Sequence, residues 1–499
     1  MPNSVDAGDR AGNVLDVRPN PLWLAGDASE PMQRLSDPTR KPVPPHIFRA
    51  YDVRGLVGSE IDAGLMHDLG RAVGSEAHSL GSTSCVVARD QRPSSDAFCQ
   101  ALIAGLRAAG CDVVDLGMAP TPVLYFAAVS RGGCSAAMVT ASHNPAEYNG
   151  LKVVLAGRSA IEEQIQRLRE RILSRDFSGG SGGYTEESVF DAYVAAIKRD
   201  VAIARPLKVV IDCGHATASL IAARLYRALS CEVIGLDCDL DPARADRFMP
   251  DPSQPQNLHA LGKAVVGAGA DVGLGFDADG DRLGAVDHDG RFIAADRLLM
   301  LLAADVLGQR PGSEIVYDVK SSHHVAAQIA RHGGRPVMWR SGHSFLKQKM
   351  RELGAPLGGE LSGHMMFADR WNGFDDAFYA GARLLELLAA DPRPSGLVFG
   401  ELPQGIGTPE LMLSLPEGED RGLMAALLGV AQELEGVAIH TVDGLRVEAD
   451  GGWGLVRASH TRPGLMFRFE ADDQAALDEI EDLFRRLLAR VAPRLPLPF

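Results

Sequence analysis

The chain has 499 residues, of which 46% are hydrophobic and 23% are charged. This composition is typical of a soluble globular protein, and the length predicts about three or four domains. The formal net charge of -15 argues against non-specific binding to nucleic acid or to an anionic membrane, because both need a basic face. An anionic substrate would therefore need a local cluster of arginine and lysine.

The first 42 residues are polar and rich in Pro, Gly and Asp, which predicts a flexible extension. They lack the basic start and apolar run of a secretory signal, and no later segment has the roughly 18 consecutive apolar residues of a membrane span. The seven cysteines include no CxxC pair, which fits reduced thiols and disfavours a structural zinc site. We therefore expect a cytoplasmic protein.

Strand and helix signals alternate along the chain after residue 42. SCVVARD, CDVVDLG and SAAMVT indicate short buried strands, and SDAFCQALIAGLRAAG indicates a helix. The alternation restarts at PLKVVIDCG and again at SEIVYDVKSSHHVAAQIARHGG, as expected for separate α/β units with βαβ connections. Beyond about residue 400, closely spaced strands and a final helix predict a smaller α+β domain.

Turn residues cluster at 178–184, 291–297 and 391–396, which predicts domain boundaries there. We therefore expect an extension at 1–42 followed by four domains, at 43–186, 187–293, 294–398 and 399–499.

The strongest local signal is GFDADGDR, which completes and follows an apolar strand. Period-two spacing brings Asp277, Asp279 and Asp281 to one side of an extended loop, where carboxylates about 4 Å apart repel by ~1 kcal/mol per pair. A divalent cation removes the repulsion, and an oxygen-only site suits Mg²⁺ or Ca²⁺. The EF-hand pattern fails because Arg282 stands where it needs glycine. A solvated acidic turn is the alternative, and an aspartate-nucleophile phosphatase fits less well.

The stretch MVTASHNPAEYNG places Ser142 beside His143 in a loop rich in turn-forming residues. A hydrolase elbow needs glycine two residues on either side of the serine, where this chain has Thr140 and Asn144. Adjacent side chains in an extended loop point apart, which makes His143 an awkward base for Ser142. An ordinary turn is the alternative reading, and Lys152 on the following strand adds a cation.

In GGELSGH, the side chains of Glu360, Ser362 and His364 alternate. The pattern would present a carboxylate, a hydroxyl and an imidazole to a ligand such as a sugar, and a glycine-rich hairpin is the alternative. Upstream, RSGHSFLKQKM contains His343, which is either a second site histidine or a helix cap.

Two further stretches concentrate donors of hydrogen bonds. The loop VRASHTRPG offers cationic and neutral donors in one turn, which predicts a phosphate cradle. Its donors are Arg457, Ser459, His460, Thr461 and Arg462. Near the start, HIFRAYDVRG adds Arg49, Tyr51 and Arg54. The alternative for this second stretch is a domain-entry strand with surface arginines.

Taken together and in this order, the motifs resemble the α-D-phosphohexomutase superfamily, most closely its bacterial phosphomannomutase/phosphoglucomutase branch. The resemblance covers nearly everything from about residue 43 to the C-terminus and rests on IFRAYDVRG, TASHNPAEYNGLK, DADGDR, GRPVMWRSGHSFLKQKM, GELSGH and WGLVRASHTRPGLMFRFEA. It implies an α/β fold in which three related α/β domains with mixed sheets and a C-terminal α+β domain surround a central cleft.

The resemblance also implies a reaction, the isomerisation of hexose 1-phosphate and hexose 6-phosphate. The substrate would receive a phosphoryl group from Ser142, become a hexose 1,6-bisphosphate, reorient in the cleft and return its other phosphate. Asp277, Asp279 and Asp281 would bind one Mg²⁺ together with an oxygen of the phosphoserine. Hexose 1,6-bisphosphate would act as the activator.

Further roles follow from the same resemblance. Glu360 and Ser362 would hold the sugar's 3- and 4-hydroxyls, and the RASHTRP loop would bind the phosphate remote from the reaction. The other expected roles are charge neutralisation by Arg282 and Lys152, a place at the reacting centre for Arg54 and His364, and substrate contact by Lys320 and Tyr51. As general acid or base we expect His343, Lys152 and His143, in that order.

Three other functions remain open at this stage. A phosphoglucosamine mutase would share the serine and metal loops, although that branch typically has Gln where this chain has Leu361. A non-catalytic sugar-phosphate-binding protein would be expected to lack Ser142 or one aspartate, and a metal-dependent phosphatase would let water intercept the phosphoserine. The partners expected are glucose and mannose phosphates, without nucleic acid or membrane, and the protein is expected to be a monomer.

Overall fold

Four β-sheets organise the residues that the structure, a computed structural model, describes: 43–244, 251–416, 418–459 and 464–499. We call them sheets I to IV in chain order. The extension predicted at 1–42 lies outside the described residues. Among the described helices, none is long and apolar enough to cross a membrane.

Sheet I is mixed and has seven strands, in the order β1-β5-β4-β2-β3-β7 with β6 paired to β5. The strands are β1 (Val53–Leu56), β2 (Ser84–Arg89), β3 (Asp112–Met118), β4 (Ser135–Val139), β5 (Tyr148–Leu155), β6 (Arg158–Ser159) and β7 (Tyr184–Glu186). The helices are a 3-10 turn at Pro45–Ile47, α1 (Ala63–Ser79), α2 (Ser95–Ala108), α3 (Thr121–Ser130) and α4 (Glu163–Ser174). Strand β2 runs parallel to β3 and β4, whereas β5 runs antiparallel to β4 and β1.

Helices α1 and α2 pack with their backbones in close contact. A Cβ at Gly70 would lie 2.2 Å from the carbonyl oxygen of Leu102, and one at Gly105 would lie 2.0 Å from that of His67. Glycine is required at both crossing points, because any side chain would force the two helices apart. The pair covers one face of sheet I, and α3 covers the opposite face.

Sheet II has five strands, in the order β12-β11-β10-β8-β9. The strands are β8 (Lys208–Asp212), β9 (Glu232–Leu236), β10 (Val272–Phe276), β11 (Leu283–Val286) and β12 (Phe292–Ile293). The helices are α5 (Phe190–Asp200), α6 (Ala222–Ala228) and α7 (His259–Ala268), with 3-10 turns at Thr217–Leu220 and Pro255–Leu258. Strands β8, β9 and β10 are parallel, and β10 and β11 form an antiparallel hairpin whose turn contains the aspartate motif.

Sheet III has four strands, in the order β14-β13-β15-β16. The strands are β13 (Glu314–Asp318), β14 (Arg335–Trp339), β15 (Leu357–Gly359) and β16 (Met365–Phe367). The helices are α8 (Ala295–Gln309), α9 (His323–Arg331), α10 (His343–Leu353), α11 (Ala377–Ala390) and α12 (Ser395–Gly400). Strand β13 is parallel to β14 and β15, whereas β16 is antiparallel to β15, so this sheet is also mixed.

Sheet IV is antiparallel and has six strands, in the order β17-β22-β21-β20-β19 with β18 paired to β22. The strands are β17 (Ile406–Gly407), β18 (Leu411–Ser414), β19 (Ala438–His440), β20 (Leu445–Ala449), β21 (Gly452–Ala458) and β22 (Gly464–Ala471). The helices are α13 (Glu419–Ala431) and α14 (Gln474–Val491). Mixed α/β sheets followed by an antiparallel α+β sheet confirm the predicted fold class.

The polar motifs directly follow the C-terminal ends of strands. Ser142 follows β4, the aspartate motif follows β10, Lys320 follows β13 and Glu360 follows β15. One hydrophobic core runs through sheets I, II and III, and a separate core lies in sheet IV. Because the carboxyl ends of parallel strands share an edge, ligands of α/β folds bind there.

Candidate active site

A cavity of about 690 Å³ brings the predicted residues together. It is lined by Tyr51, Arg54, Ser142, His143, Lys152, Arg282, Lys320, His343, Glu360, Ser362, His364, Arg457 and Ser459. Asp277, Asp279 and Asp281 are fully buried beneath its floor, where Asp277 contacts Ser142. The remaining predicted residues, His460, Thr461 and Arg462, lie outside the described residues.

The cavity carries more positive than negative side chains, although the chain as a whole has a net charge of -15. Among the described lining residues, eight are Arg or Lys and six are Asp or Glu. This is the local cationic cluster that an anionic substrate requires. The volume falls in the range of about 300–1,000 Å³ that is usual for small-molecule sites.

The backbone at Ser142 is left-handed, with a φ of 50°. This conformation breaks the alternation of an extended chain, so the expectation that Ser142 and His143 point apart is wrong. Instead, Ser142 Oγ lies 3.2 Å from His143 Nδ1 and donates to Asp277 Oδ2 at 3.0 Å. Thr140 Oγ1 accepts from the backbone N–H of Ser142 at 2.9 Å. The serine hydroxyl is thus aimed at the aspartate cluster.

Two buried arginines hold the serine loop in place. Arg92 donates to the backbone oxygens of Ser142 and Asn144, at 2.7 and 2.6 Å, and to those of two further loop residues. Arg54 donates to the side chain of Asn144 at 2.7 Å and pairs with Asp52 at 2.6 Å. Arg54, which the family resemblance places at the reacting centre, therefore braces the loop as well as lining the cavity.

The three aspartates converge at the turn between β10 and β11. One carboxylate oxygen of each lies within 4.8 Å of the others. Oδ1 of Asp277 accepts from the backbone N–H groups of Asp281 and Arg282 at 3.1 Å, which curls the loop around it. Oδ2 of Asp279 accepts from Thr121 Oγ1 at 2.7 Å, so the start of α3 touches the cluster.

Lys152 supplies positive charge to this cluster. Its Nζ lies 2.6 Å from Asp279 and in even closer contact with Asp281. Burial lowers the pKa of Lys152, but the two carboxylates outweigh burial and raise it well above the usual value. Lys152 is therefore a cation near pH 7 and a poor general base.

The aspartates differ in how well their charge is balanced. Burial raises the pKa of Asp277 well above its ordinary value, and its neighbours Asp281 and Asp279 add to this. Burial also raises the pKa of Asp281, but Lys152 and His364 outweigh it and hold that pKa well below the ordinary range. Because the carboxyl of Asp277 resists ionisation, a further positive charge at the cluster would stabilise its charged form.

These residues fit a hard divalent cation. Oδ1 of Asp279 is buried without a hydrogen-bond partner, and Oδ1 of Asp281 makes no hydrogen bond but lies 3.4 Å from His364 Nε2. Orphaned buried carboxylate oxygens are rare in folded proteins, and together with Asp277 they form the oxygen-only donor set that Mg²⁺ prefers. The aspartate motif is therefore a candidate metal site rather than a solvated acidic turn.

The GGELSGH motif forms the turn of the β15–β16 hairpin. Ser362 Oγ donates to Glu360 Oε2 at 2.9 Å, and His364 Nδ1 lies 2.8 Å from the same oxygen. Burial lowers the pKa of His364, but Asp281 and Glu360 raise it overall to about 9. Both sequence-based readings of this motif therefore hold. Its backbone is a hairpin turn, and the side chains of Glu360, Ser362 and His364 line the cavity.

His343 is the first residue of α10 and a buried wall of the cavity. Its Nδ1 lies 2.5 Å from Asp375 Oδ2, and its ring stacks on His364 at a centroid distance of 4.8 Å and meets Tyr51 edge-on at 5.2 Å. Burial lowers the pKa of His343, and Asp375 offsets this only in part. Of the two readings, site histidine and helix cap, the structure supports the first.

Lys320, Arg457 and Ser459 belong to sheets III and IV and line the same cavity. Lys320 Nζ pairs with Glu410 at 2.7 Å, and Arg457 Nη2 pairs with Asp443 at 2.9 Å. Both cations are therefore held by carboxylates in the structure.

Sequence reasoning missed several residues that shape this site. They are Arg92, Thr121, Asp375, Glu410 and Asp443. Arg92 lies in RDQRPSSDA and Asp375 in GFDDAF, both polar stretches beside predicted elements. Charged residues in such turns are common, so only the fold identifies these partners.

Comparisons with known proteins agree with this architecture. Four family models match the chain, described as Phosphoglucomutase/phosphomannomutase, alpha/beta/alpha domain I (residues 45–179), domain II (residues 191–290), domain III (residues 294–404) and the C-terminal domain (residues 412–487).

Individual relatives are similar over most of their length. A phosphomannomutase/phosphoglucomutase from Pseudomonas aeruginosa is 48% identical over 92% of this chain and 98% of its own. A phosphoglucomutase from Neisseria gonorrhoeae is 43% identical over 89% of this chain and 96% of its own. The crystal structure of a phosphoglucomutase/phosphomannomutase family protein from Burkholderia thailandensis has a TM-score of 0.86 at 46% identity, covering 92% of this chain and all of that one.

Fold and site define an α/β protein with a cationic cleft and a candidate metal centre. With four matching family models and relatives above 40% identity, the chain belongs to the phosphoglucomutase/phosphomannomutase family. The predicted resemblance is thereby confirmed.

Proposed function

We propose that the protein is a phosphohexomutase, an isomerase that interconverts the 1- and 6-phosphates of glucose and mannose through a phosphoserine at Ser142. The observation that carries the proposal is the 3.0 Å contact between Ser142 Oγ and Asp277, inside a three-aspartate cluster that adjoins the cationic cavity. Relatives named phosphomannomutase/phosphoglucomutase, at up to 48% identity, support the same reaction.

In the proposed reaction, a free hydroxyl of the sugar phosphate attacks the phosphorus carried by Ser142. A new O–P bond forms, the Oγ–P bond breaks, and the proton of the hydroxyl passes to a base. Burial lowers the pKa values of His143 and His343, so both imidazoles are neutral near pH 7 and each can accept that proton. The hexose 1,6-bisphosphate then reorients, returns its other phosphate to Ser142 and leaves as the isomer.

Phosphoryl transfer depends mainly on positioning and on neutralising charge at the phosphoryl oxygens. Asp277, Asp279 and Asp281 would hold one Mg²⁺ with a phosphoserine oxygen, and the bound ion would supply part of that neutralisation. Lys152 touches the same aspartates and Arg282 lines the cavity, so both cations would meet the transferring group from the protein side.

The sugar must be recognised in both orientations. Glu360 and Ser362 form one acceptor and donor pair, and the sugar's 3- and 4-hydroxyls nearly exchange places when it turns end for end. A shared pair therefore serves both orientations. Because neither residue would contact C2, where glucose and mannose differ, the proposal includes both sugars.

The phosphate remote from the reaction would bind at the opposite side, among Lys320, Arg457 and Ser459, with His460, Thr461 and Arg462 predicted to complete the loop. Tyr51 and His364 would contact the substrate near the reacting centre. The same proposal includes hexose 1,6-bisphosphate as the activator, a monomeric protein in the cytoplasm, and division of the chain at about residues 42, 186, 293 and 398.

The test measures conversion of the 1-phosphates of glucose, mannose and glucosamine to their 6-phosphates, with release of inorganic phosphate recorded in parallel. We expect conversion of the glucose and mannose compounds, dependence on a trace of hexose 1,6-bisphosphate, and loss of activity with EDTA. The matched control is Ser142→Ala, which should convert none of them.

Failure on all three sugars, or activity that EDTA leaves unchanged, would contradict the proposal. Preference for glucosamine 1-phosphate would indicate the phosphoglucosamine mutase alternative. Stoichiometric release of inorganic phosphate would indicate the phosphatase alternative.

A further inference from the structure

A second cluster of metal-ligating side chains lies where α9 meets the connection between β22 and α14. His323 and His324 are the first two residues of α9, and Asp472 follows β22. The Nε2 atoms of the two histidines lie 3.2 and 3.1 Å from the same oxygen of Asp472, Oδ1. None of the three belongs to the sugar, serine or aspartate motifs.

The spacing of these atoms is close to that of ligands around a tetrahedral ion. Zn²⁺ bonds to histidine nitrogen and carboxylate oxygen at about 2.0–2.2 Å, which puts two ligand atoms about 3.3–3.6 Å apart at a tetrahedral angle. The two nitrogen-to-oxygen separations lie just below that range, and one ligand atom from each residue falls within 4.8 Å of the other two. Two histidines and one carboxylate form a common zinc ligand set.

The alternative is an ordinary ion pair between a protonated histidine and Asp472. The two rings lie with their centroids only 4.1 Å apart, so two positive charges there would repel. Both rings nevertheless converge on one oxygen, although successive helical residues point about 100° apart.

The backbone holds the three ligands in position. Ser322 Oγ caps α9 by accepting from the N–H of His324 at 3.2 Å, and the N–H of Asp472 donates to the oxygen of Gly451 at 2.7 Å. The side chains of His323, His324 and Asp472 are 23%, 18% and 52% exposed, so an ion has access from solvent. The sequence disfavoured a structural zinc site because its cysteines include no CxxC pair. That argument does not apply to this site, because none of its three ligands is a cysteine.

We propose that His323, His324 and Asp472 bind a transition-metal ion, with Zn²⁺ the best match and water in the fourth position. The ion cross-links the first turn of α9, next to sheet III, to the strand-to-helix connection of sheet IV. Its role is structural, since none of the three ligands lines the cavity. The site is independent of the phosphohexomutase proposal.

The test titrates the metal-depleted full chain with Zn²⁺ in competition with a chromogenic chelator, with Mg²⁺ in excess throughout. The variants are His324→Gln and Asp472→Asn, and the matched control is His332→Gln, an exposed histidine that follows the same helix. The wild type and the control should bind one Zn²⁺ equivalent that the two variants bind at least about tenfold more weakly. Cobalt substitution should give the intense visible absorption of tetrahedral Co²⁺ in the wild type and not in the variants.

Thermal unfolding gives an independent readout that does not use activity. Zn²⁺ should raise the melting temperature of the wild type and of His332→Gln, because a ligand bound only by the native state stabilises it, and should raise that of the two variants less. Equal Zn²⁺ affinity in wild type and His324→Gln, or no binding by the wild type, would overturn the proposal. Any zinc bound by the aspartate cluster is common to all the proteins and cancels in the comparison.

Discussion

Ser142 has its hydroxyl and its backbone fixed by different parts of the chain. Asp277 accepts from the hydroxyl, Thr140 accepts from the N–H, and Arg92 donates to the carbonyl. A non-glycine residue with positive φ costs about 1–3 kcal/mol, and these hydrogen bonds offset that strain. The hydroxyl is thereby held towards the aspartates before any substrate arrives.

Thr121 supports the aspartate cluster from the start of α3. Its hydroxyl donates to Asp279 Oδ2 at 2.7 Å, which orients that carboxylate. Thr121→Val removes the donor at nearly constant size, so the affinity for Mg²⁺ should fall by about tenfold, as measured by isothermal titration calorimetry. Thr185→Val, on the exposed strand β7, is the control. An unchanged Mg²⁺ affinity in Thr121→Val would show that Asp279 needs no such support.

Glu360 makes folding stability depend on acidity. Burial raises its pKa, but hydrogen bonding and charge from His364 outweigh burial and lower it from 4.5 to about 2. Because the pKa is depressed in the folded state, ionised Glu360 stabilises that state above pH 4.5, and this contribution is lost as the pH falls towards 2.

Urea unfolding at about pH 6 and about pH 3 measures this effect. The difference in unfolding free energy between the wild type and Glu360→Gln should shrink at the lower pH. A difference that is constant between the two pH values would contradict the assignment.

For single residues, the sequence indicates which residue types belong to the candidate site, but not which other residues they contact. The aspartate spacing indicated a metal site because the chemistry is local to five residues, Asp277 to Asp281. The contact between Ser142 and His143 was mispredicted because a positive φ at a serine leaves no trace in the sequence. Arg92 and Thr121 were missed because their partners lie 50 and 158 residues away in the chain.

Among the elements, α11 is anchored by its N-cap. Asp376 accepts from the N–H of Tyr379 within the helix, and also from the hydroxyl of Tyr193 at 2.7 Å and from Trp371 Nε1 at 3.0 Å. Tyr193 belongs to α5, so one carboxylate both starts a helix of sheet III and binds a helix of sheet II.

Replacing Asp376 by alanine should destabilise the fold through two losses. The missing cap costs about 1 kcal/mol, and the orphaned hydroxyl and indole N–H cost a further 1–3 kcal/mol or so. Urea unfolding measures the sum. Asp376→Asn keeps an acceptor oxygen and should lose clearly less, so equal destabilisation by alanine and asparagine would contradict the capping argument.

Strands and helices with strong periodicity could be predicted from the sequence. SAAMVT became β4, and the helix expected at DDQAALDEIEDLFRRLLAR is α14, Gln474–Val491. The GGELSGH stretch resisted assignment because a hairpin turn and a ligand-binding loop use the same residues. The pairing order of each sheet was not predictable, since β13 lies between β14 and β15 through contacts that no local pattern encodes.

For the whole molecule, the main feature is that loops of four sheets meet at one cavity. Positive side chains from sheets I to IV line it, including Arg54, Arg282, Lys320 and Arg457. An anionic protein therefore has a cationic interior site, which favours capture of phosphorylated substrates over binding of extended polyanions.

Mg²⁺ should stabilise the entire fold, because the three buried carboxylates repel in its absence and the ion binds only the native arrangement. At a concentration about 100 times the dissociation constant, a native-state ligand adds about 2.7 kcal/mol. We expect the melting temperature to rise with Mg²⁺ and to fall with EDTA in the wild type. The control Asp279→Asn should respond much less, and an equal response in both proteins would place the ion elsewhere.

The assembly of the cleft could be predicted only through the family resemblance. Residue patterns indicated separate α/β units, yet nothing local to Ser142 or Glu360 shows that they line one cavity. The domain boundaries at about residues 186, 293 and 398 stay predictions, as do the roles of His460, Thr461 and Arg462.

The central claim is that Ser142 carries the phosphoryl group, and its most direct test is to locate the group after reaction. The protein is incubated with glucose 1,6-bisphosphate and Mg²⁺, and then measured by intact mass and by peptide mapping. We predict one phosphoryl group, on Ser142 in the wild type and absent in Ser142→Ala. A phosphoryl group on another residue, or equal labelling of the alanine variant, would contradict the claim.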